Sequence, residues 1–478
     1  MTKATTTRPQ IKFGTDGWRG VIADTFTFDS VRTVSQATAD YVLSLGKAGA
    51  RIAIGYDTRF QSETFAALAA EVLAGNGIHS VLSTRTVPSP CLSWAIKEHG
   101  FDLGIMFTAS HNPPRFNGFK IKAPYAGSAD EGLTSQIEAH LYRHEPKVLP
   151  LDEAKANALV EDADFVPDYL AGLRAFVDFE RIAGSGFRVV ADAMYGAQQH
   201  LMADLLDGTT CRVEVIRGYR NPNFGGIFPE PIPPHTEELQ HAVRERGADV
   251  GLAVDGDADR IGACMASGEF VSPHQIFAML LVHFLEHRHG TGIVVKTISS
   301  TTLVEKIVRK YGLELVEVPI GFKHICELLR TRDVLIGGEE SGGIGFKGNI
   351  PERDGTLSGL LLLELMATTG KRLDEIMAGL DAEFGTFRYG RVDIEYPLER
   401  KGDLLRHLAK SPLKALDGSL VVEVKTYDGV KFIAENDDWL LVRPSGTEPV
   451  LRIYAEAKSF DVVHELLALG ERTAKGIL

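Results

Sequence analysis

Apolar positions along the chain fall into two patterns that take turns. Short unbroken runs such as Leu103-Gly-Ile-Met-Phe107 read as strands buried on both faces, and longer stretches with helical spacing lie between them. An amphipathic helix over 29–47 is followed by a strand at 51–55, a helix over 62–75, a strand at 79–83, a helix over 89–98 and the strand at 104–107. The order recurs as strand 187–190, helix 196–206, strand 211–216, helix 236–246 and strand 250–254. It appears a third time as strand 291–295, helix 301–311, strand 313–318, helix 322–330 and strand 334–336. Alternation of this kind predicts an α/β unit with a largely parallel or mixed sheet, here in three copies. The last strand of each copy runs into an unusual loop: TASH after the first, DGDADR after the second, GGEESGG after the third.

Beyond these copies the pattern changes. Residues 389–395 and 420–425 alternate apolar with polar, and 438–442 and 450–455 follow, which predicts an antiparallel sheet with helices on one side. Linkers are expected near 160–166, 266–272 and 383–388. The domains read as 1–165, 166–268, 269–384 and 385–478. Ahead of the first copy, residues 11–20 are a strand entry and a glycine-punctuated loop carrying Arg19; residues 1–10 look like a frayed terminus. The Pro- and Gly-rich stretch 221–234 is a long loop inside the second copy, expected to buttress it.

Composition narrows the class. With 478 residues the chain exceeds one ordinary core, and 44% hydrophobic with 24% charged residues is typical of a soluble globular protein. The net charge of −13 argues against nucleic-acid or anionic-membrane partners, though not against an anion held by a few gathered cations. Cys91, Cys211, Cys264 and Cys326 form no CxxC and are expected to be reduced, in a cytoplasmic protein. The apolar run 360–363 is far too short to span a bilayer.

The chemistry lies in the loops. In GIMFTASHNPPRFNGFK, residues 104–120, the strand stops at Thr108-Ala-Ser-His111 and Pro113-Pro114 bars its continuation. Ser110 is thereby set at the exit of a buried strand, with His111 beside it and Lys120 close by. A serine hydroxyl needs a base or metal to become a nucleophile, and on these residues alone a turn that merely closes the strand fits as well. Asp255-Gly-Asp-Ala-Asp259-Arg260 crowds three carboxylates after another buried strand. Like charges this close call for a cation, and oxygen-only ligands imply a hard one such as Mg²⁺. An EF-hand is excluded, because Arg260 stands where glycine is needed and Ala266 where the last glutamate would fall.

Gly337-Gly-Glu-Glu-Ser-Gly-Gly343 offers carboxylate and hydroxyl groups of the kind that read sugar hydroxyls; a plain glycine-rich turn explains it equally well. Gly343-Ile-Gly-Phe-Lys-Gly348 matches GxGxxG, but it follows a loop, and Pro351 and Gly355 prevent a prompt helix, so it is no dinucleotide site. Arg443-Pro-Ser-Gly-Thr-Glu-Pro449 could form an anion nest from the Ser445 and Thr447 hydroxyls, flexible Gly446 and backbone N–H groups, with Arg443 as a planar fork; a tight hairpin would use the same residues.

Taken in order, TASHNP, DGDADR, GEESGG and RPSGTEP resemble the loops of the α-D-phosphohexomutase family, and the resemblance covers nearly the whole chain. It implies four domains around a deep cleft, one loop from each. It implies that Ser110 carries the transferred phosphoryl group and that Asp255, Asp257 and Asp259, with a phosphoserine oxygen on Ser110, hold Mg²⁺. Glu339 and Ser341 would bind sugar hydroxyls, and Arg443, Ser445, Gly446 and Thr447 the phosphate that is not reacting. Arg19, His111, Lys120 and Arg260 match positions lining the reaction centre, with His111 and Lys120 as acid/base candidates; Lys323 is a further substrate-binding candidate. Small hexose phosphates are the implied partners, with glucose 1,6-bisphosphate as intermediate and activator, in a monomer or homodimer. GEES, Gly321-Phe-Lys323 and Glu352-Arg-Asp-Gly355 look glucomutase-like, while Gly343 departs from the histidine or phenylalanine of other branches. Mannose phosphates as further substrates, a glucose 1,6-bisphosphate synthase with a separate bisphosphate donor, and a sugar-phosphate-binding protein without turnover are the alternatives.

Overall fold

The computed structural model describes residues 10–14, 16–47, 49–445 and 449–476. Most of the expected frayed terminus, together with Gly446 and Thr447, lies outside the described residues. The first sheet has six strands in the order Trp18–Val21, Phe116–Lys122, Leu103–Phe107, Arg51–Tyr56, His79–Ser83, Val160–Ala163. The last four of these are mutually parallel, and Phe116–Lys122 runs antiparallel to both of its neighbours. The second sheet is ordered Phe270–Val271, Ile261–Met265, Val250–Val254, Arg188–Asp192, Arg212–Ile216, and the third Leu315–Val318, Ile293–Thr297, Val334–Gly338, Ile344–Phe346.

The three units share one plan. A central strand is flanked by two parallel strands, and the later of these in sequence hands the chain through a loop to an antiparallel return. Each chemical loop therefore joins Leu103–Phe107 to Phe116–Lys122, Val250–Val254 to Ile261–Met265, or Val334–Gly338 to Ile344–Phe346. The pattern of hydrophobic residues does not announce these returns. Phe116–Lys122 hides two fully buried lysines, Lys120 and Lys122, so it reads as half polar, and Ile344–Phe346 is too short for any period to show. Two expected linkers also prove to be sheet: Val160–Ala163 pairs with His79–Ser83, and Phe270–Val271 pairs with Ile261–Met265.

Helix Gly355–Thr369 is buried along most of its length, which explains the apolar run at 360–363. Among the described residues no helix is long and apolar enough to cross a membrane. All four cysteines are free.

The fourth sheet is antiparallel throughout, ordered Arg388–Glu395, Val450–Ala457, Trp439–Pro444, Val430–Ala434, Ser419–Lys425, Ala415–Leu416. One face packs Phe432, Leu440, Leu451 and Ile453 against Leu404 and Leu408 of helix Lys401–Lys410 and Val463 and Leu466 of helix Phe460–Lys475. The other face sets Trp439, Leu441 and Tyr454 against Ile298 of the third unit. This second, buried face turns the ends of Arg388–Glu395, Trp439–Pro444 and Val450–Ala457 toward the loops of the other units.

Candidate active site

Ser110 sits in the left-handed region at φ 52°, fully buried, so the loop reverses at the residue that carries the hydroxyl. Its Oγ donates to Asp255 Oδ2 at 2.8 Å, which brings the first loop onto the second. The reversal is clamped by Arg59, a buried residue at the exit of Arg51–Tyr56. Its guanidinium donates to the carbonyls of Ser110 at 2.5 Å, Asn112 at 2.8 Å, Pro113 at 3.0 Å and Phe116 at 3.1 Å. Asp57 holds the loop from the other side by accepting from Thr108 Oγ1 at 2.6 Å. His111 Nδ1 lies 3.4 Å from Ser110 Oγ.

Asp255, Asp257 and Asp259 are all buried, and one oxygen from each lies within 4.8 Å of the others. Oδ1 of Asp257 and Oδ1 of Asp259 are buried with no hydrogen-bond partner. Orphaned carboxylate oxygens in an all-oxygen donor set fit a hard divalent cation, and the triad could bind one. Burial beside Asp259 and Asp257 pushes the Asp255 carboxyl well up.

Lys120, 1% exposed, reaches the centre from the return strand. Its Nζ lies 2.7 Å from Asp16 Oδ2, 2.8 Å from Asp257 Oδ2 and 3.5 Å from Asp259 Oδ2. Burial pulls the ammonium down, but these three carboxylates outweigh it and lift it above its ordinary value. His111 moves the other way: burial, with Arg260, Arg19, Arg391 and Arg452 around it, holds the imidazole well below its ordinary value. At neutral pH Lys120 therefore keeps its proton and the His111 imidazole is uncharged.

Arg19 donates to Asn112 Oδ1 at 2.5 Å, and Arg260 Nε lies 4.0 Å from Asp255 Oδ2 and 3.8 Å from Asp259 Oδ1. The third loop is tied in by Arg353, which bridges Glu339 to Asp259 and Asp16. Glu339 is pushed up to about 7 by burial, against the opposing pull of Arg353. Ser341 stands partly exposed at the loop tip. Lys323, in contrast, is paired with Glu131 of the first unit, and among the described residues no hydrogen bond or ion pair joins it to the other loops.

In the fourth unit Arg443 donates to Asp428 at 2.7 Å, and Asp428 also accepts the Ile320 N–H of the third unit at 2.8 Å. Ser445 accepts from Lys401 through its carbonyl. Asp393, Arg452 and Arg443 form a cross-strand row on the face that carries Tyr454, and Arg391 approaches Glu230 of the long loop 221–234 to 4.0 Å. That loop also buttresses the acidic loop, its Pro229 carbonyl accepting from Gly256 N at 3.1 Å.

Sequence reasoning passed over Asp16, Arg59 and Arg353 as site residues. Arg59, within Asp57-Thr-Arg59 at a strand exit, carried a weak signal; the other two owe their place to partners distant in sequence, Asp16 to Lys120 and Arg353, and Arg353 to Asp16, Asp259 and Glu339.

A repeated α/β protein whose loops converge on one hydroxyl, one carboxylate triad and a ring of cations belongs with enzymes that handle phosphorylated substrates. Sequence models of all four domains of phosphoglucomutase/phosphomannomutase match the chain: domain I at residues 10–147, domain II at 167–268, domain III at 272–384 and the C-terminal domain at 401–469. The chain belongs to the phosphoglucomutase/phosphomannomutase family, enzymes that transfer phosphate within a sugar phosphate. The phosphoglucomutase/phosphomannomutase of Thermococcus kodakarensis is 29% identical over 462 residues, covering 96% of this chain and 97% of its own. A "probable phosphoglucosamine mutase" of Methanothermobacter thermautotrophicus is 30% identical over 449 residues, covering 94% of each chain. The crystal structure of a "putative phosphomannomutase" from Thermus thermophilus superposes with a TM-score of 0.86 at 35% identity, covering 98% of this chain and 99% of that one.

Proposed function

We propose that the protein is a phosphohexomutase that interconverts glucose 1-phosphate and glucose 6-phosphate through phosphoserine at Ser110 and a glucose 1,6-bisphosphate intermediate. The observation that carries this reading is the contact of Ser110 Oγ with Asp255 at 2.8 Å, at the rim of the buried triad. A sugar hydroxyl attacks the phosphorus of phosphoserine; its proton passes to a base, for which His111 is placed, and the P–Oγ bond breaks to leave the Ser110 oxygen. That oxygen leaves as a hydroxyl by taking a proton, for which Lys120 is the acid candidate, held charged among Asp16, Asp257 and Asp259. The bisphosphate turns over in the cleft, and its other phosphoryl group returns to Ser110 with the proton movements reversed.

Asp255, Asp257 and Asp259 would hold Mg²⁺, which when bound supplies positive charge to the transferring group. Arg19, Arg260 and Lys120 add fixed positive charge around the same centre, and Arg443 with Ser445 would grip the other phosphate. Glucose is favoured by the Glu339-Glu-Ser341 loop, while relatives of similar identity carry glucosamine and mannose names.

The test combines peptide mapping with kinetics. The active protein should carry one phosphate on Ser110, and Ser110→Ala should lose mutase activity on glucose 1-phosphate supplied with catalytic glucose 1,6-bisphosphate. Near wild-type turnover by Ser110→Ala would overturn the covalent route. Failure of the wild type to isomerise glucose phosphates, while it isomerises mannose or glucosamine phosphates, would overturn the sugar alone.

A further inference from the structure

Arg353 belongs to none of the four loops, yet it holds three of the four units together at the reaction centre. It is 3% exposed and lies beyond the third return strand, its guanidinium 5.3 Å from the centroid of the Phe322 ring. Its Nη2 donates to Asp16 Oδ2 at 2.8 Å and to Asp259 Oδ2 at 2.7 Å, while Nη1 donates to Glu339 Oε2 at 3.1 Å. A guanidinium is planar and rigid, so these carboxylates from the first, second and third units are fixed in one mutual geometry. Arg353 holds Glu339 through Oε2 alone, which leaves Oε1 as the oxygen not engaged by the fork.

The room for this arrangement comes from one position. A Cβ at Gly343 would lie 2.2 Å from Arg353 Cδ, 2.9 Å from Arg353 Cγ and 3.0 Å from Glu339 Oε2. No side chain fits there while Arg353 keeps its place. The space left at Gly343 is filled by the stem of Arg353.

We propose that Arg353 is the positioning residue that sets sugar selectivity, by locking Glu339 to Asp259 and Asp16 through the gap left at Gly343. This rests on the mutase reading above. Epimeric hexose phosphates differ only in the direction of one hydroxyl. A carboxylate free to move would follow either direction; one pinned through Oε2 presents Oε1 at a single distance from the transferring phosphoryl group and favours one epimer.

The experiment compares kcat/KM for glucose 1-phosphate and mannose 1-phosphate in wild type, Arg353→Lys, Gly343→Ala, Glu339→Gln and the Arg353→Lys/Glu339→Gln double variant. Arg353→Lys keeps the charge and loses the fork. Gly343→Ala keeps the fork and displaces its stem, so it serves should the lysine variant fold poorly. Each should shrink the ratio between the two sugars by about tenfold, the loss typical of one misplaced polar contact. The double variant should discriminate no worse than Glu339→Gln alone, because both substitutions break the same link. A purely structural role would lower both rates together and leave the ratio unmoved; that result, or independent effects in the double variant, would overturn the proposal. A wild type inactive on every hexose phosphate would overturn the mutase reading and this proposal with it.

Discussion

Lys431 offers a test of how the fourth unit is seated on the third. It lies on Val430–Ala434, fully buried, with Nζ donating to the Ile298 carbonyl at 2.7 Å and standing 4.0 Å over the Trp439 ring. Lys296 of the third unit is also buried, held by Glu305 at 2.5 Å and Glu317 at 3.4 Å. Burial first, and then the charge of Lys296, push the Lys431 amine from 10.5 down to about 7, against the opposite pull of Glu317, Glu305 and Glu456. The folded state thus disfavours the ammonium. Below pH 7 both folded and unfolded chains are protonated and the penalty is complete; it fades as pH rises toward 10.5. At about 1.4 kcal/mol per pKa unit the full penalty is about 5 kcal/mol, of which about 2–3 kcal/mol is relieved between about pH 6.5 and about pH 9. Urea unfolding of wild type and Lys431→Met at these two pH values should show the wild type gaining that amount relative to the variant. Trp439 fluorescence, read with Trp18 and Trp94 replaced by phenylalanine, should titrate with a midpoint near 7 in the presence of Lys431 and stay flat with methionine. A stability difference independent of pH, or a fluorescence midpoint at the ordinary lysine value of 10.5, would refute the reasoning.

Two further predictions concern the reaction centre. Exhaustive chelation should abolish turnover while lowering the melting temperature only slightly, because the triad is already anchored by Lys120 and Arg353; Asp257→Asn should abolish turnover and lower the melting temperature clearly, because it takes one carboxylate partner from the buried Lys120 ammonium. Full activity without divalent cations would remove the metal site. Gly256→Ala would place a Cβ 2.4 Å from the Ser110 carbonyl and so push the first loop off the second. Turnover should fall about 100-fold, as expected for a nucleophile displaced by roughly 1 Å, and an unchanged kcat would show that the contact between these loops is not needed.

The chain announces much of this by itself. Buried strands and amphipathic helices repeat at visible periods, so the strand at 250–254 appears at its observed bounds and the strand at 79–83 likewise. Three α/β units and an antiparallel fourth follow from those periods, since one-face and two-face burial leave different spacings of apolar residues. The loops were legible for the same local reason: three aspartates within five residues, or a serine stopped by prolines, are improbable unless chemistry or a turn requires them.

What could not be read is whatever depends on partners far apart in the chain. Lys122 looks like a surface charge until the fold supplies Glu352 at 2.5 Å, and Lys120, a candidate in the sequence, gains its buried partner Asp257 at 2.8 Å only in the fold; two lysines hid the return strand that carries them. The partner of Lys323, Glu131 of the first unit, is likewise far away in the sequence. Asp16, Arg59 and Arg353 have ordinary neighbours in sequence. Only the packing of the units brings Arg353 within 2.8 Å of Asp16 and 2.7 Å of Asp259, where burial makes pairing obligatory because an unpaired ion cannot be kept out of water. Periodicity is a property of neighbours along the chain, and that much the sequence determines alone; the charge balance of the buried centre is a property of neighbours in space, and only the tertiary structure decides it.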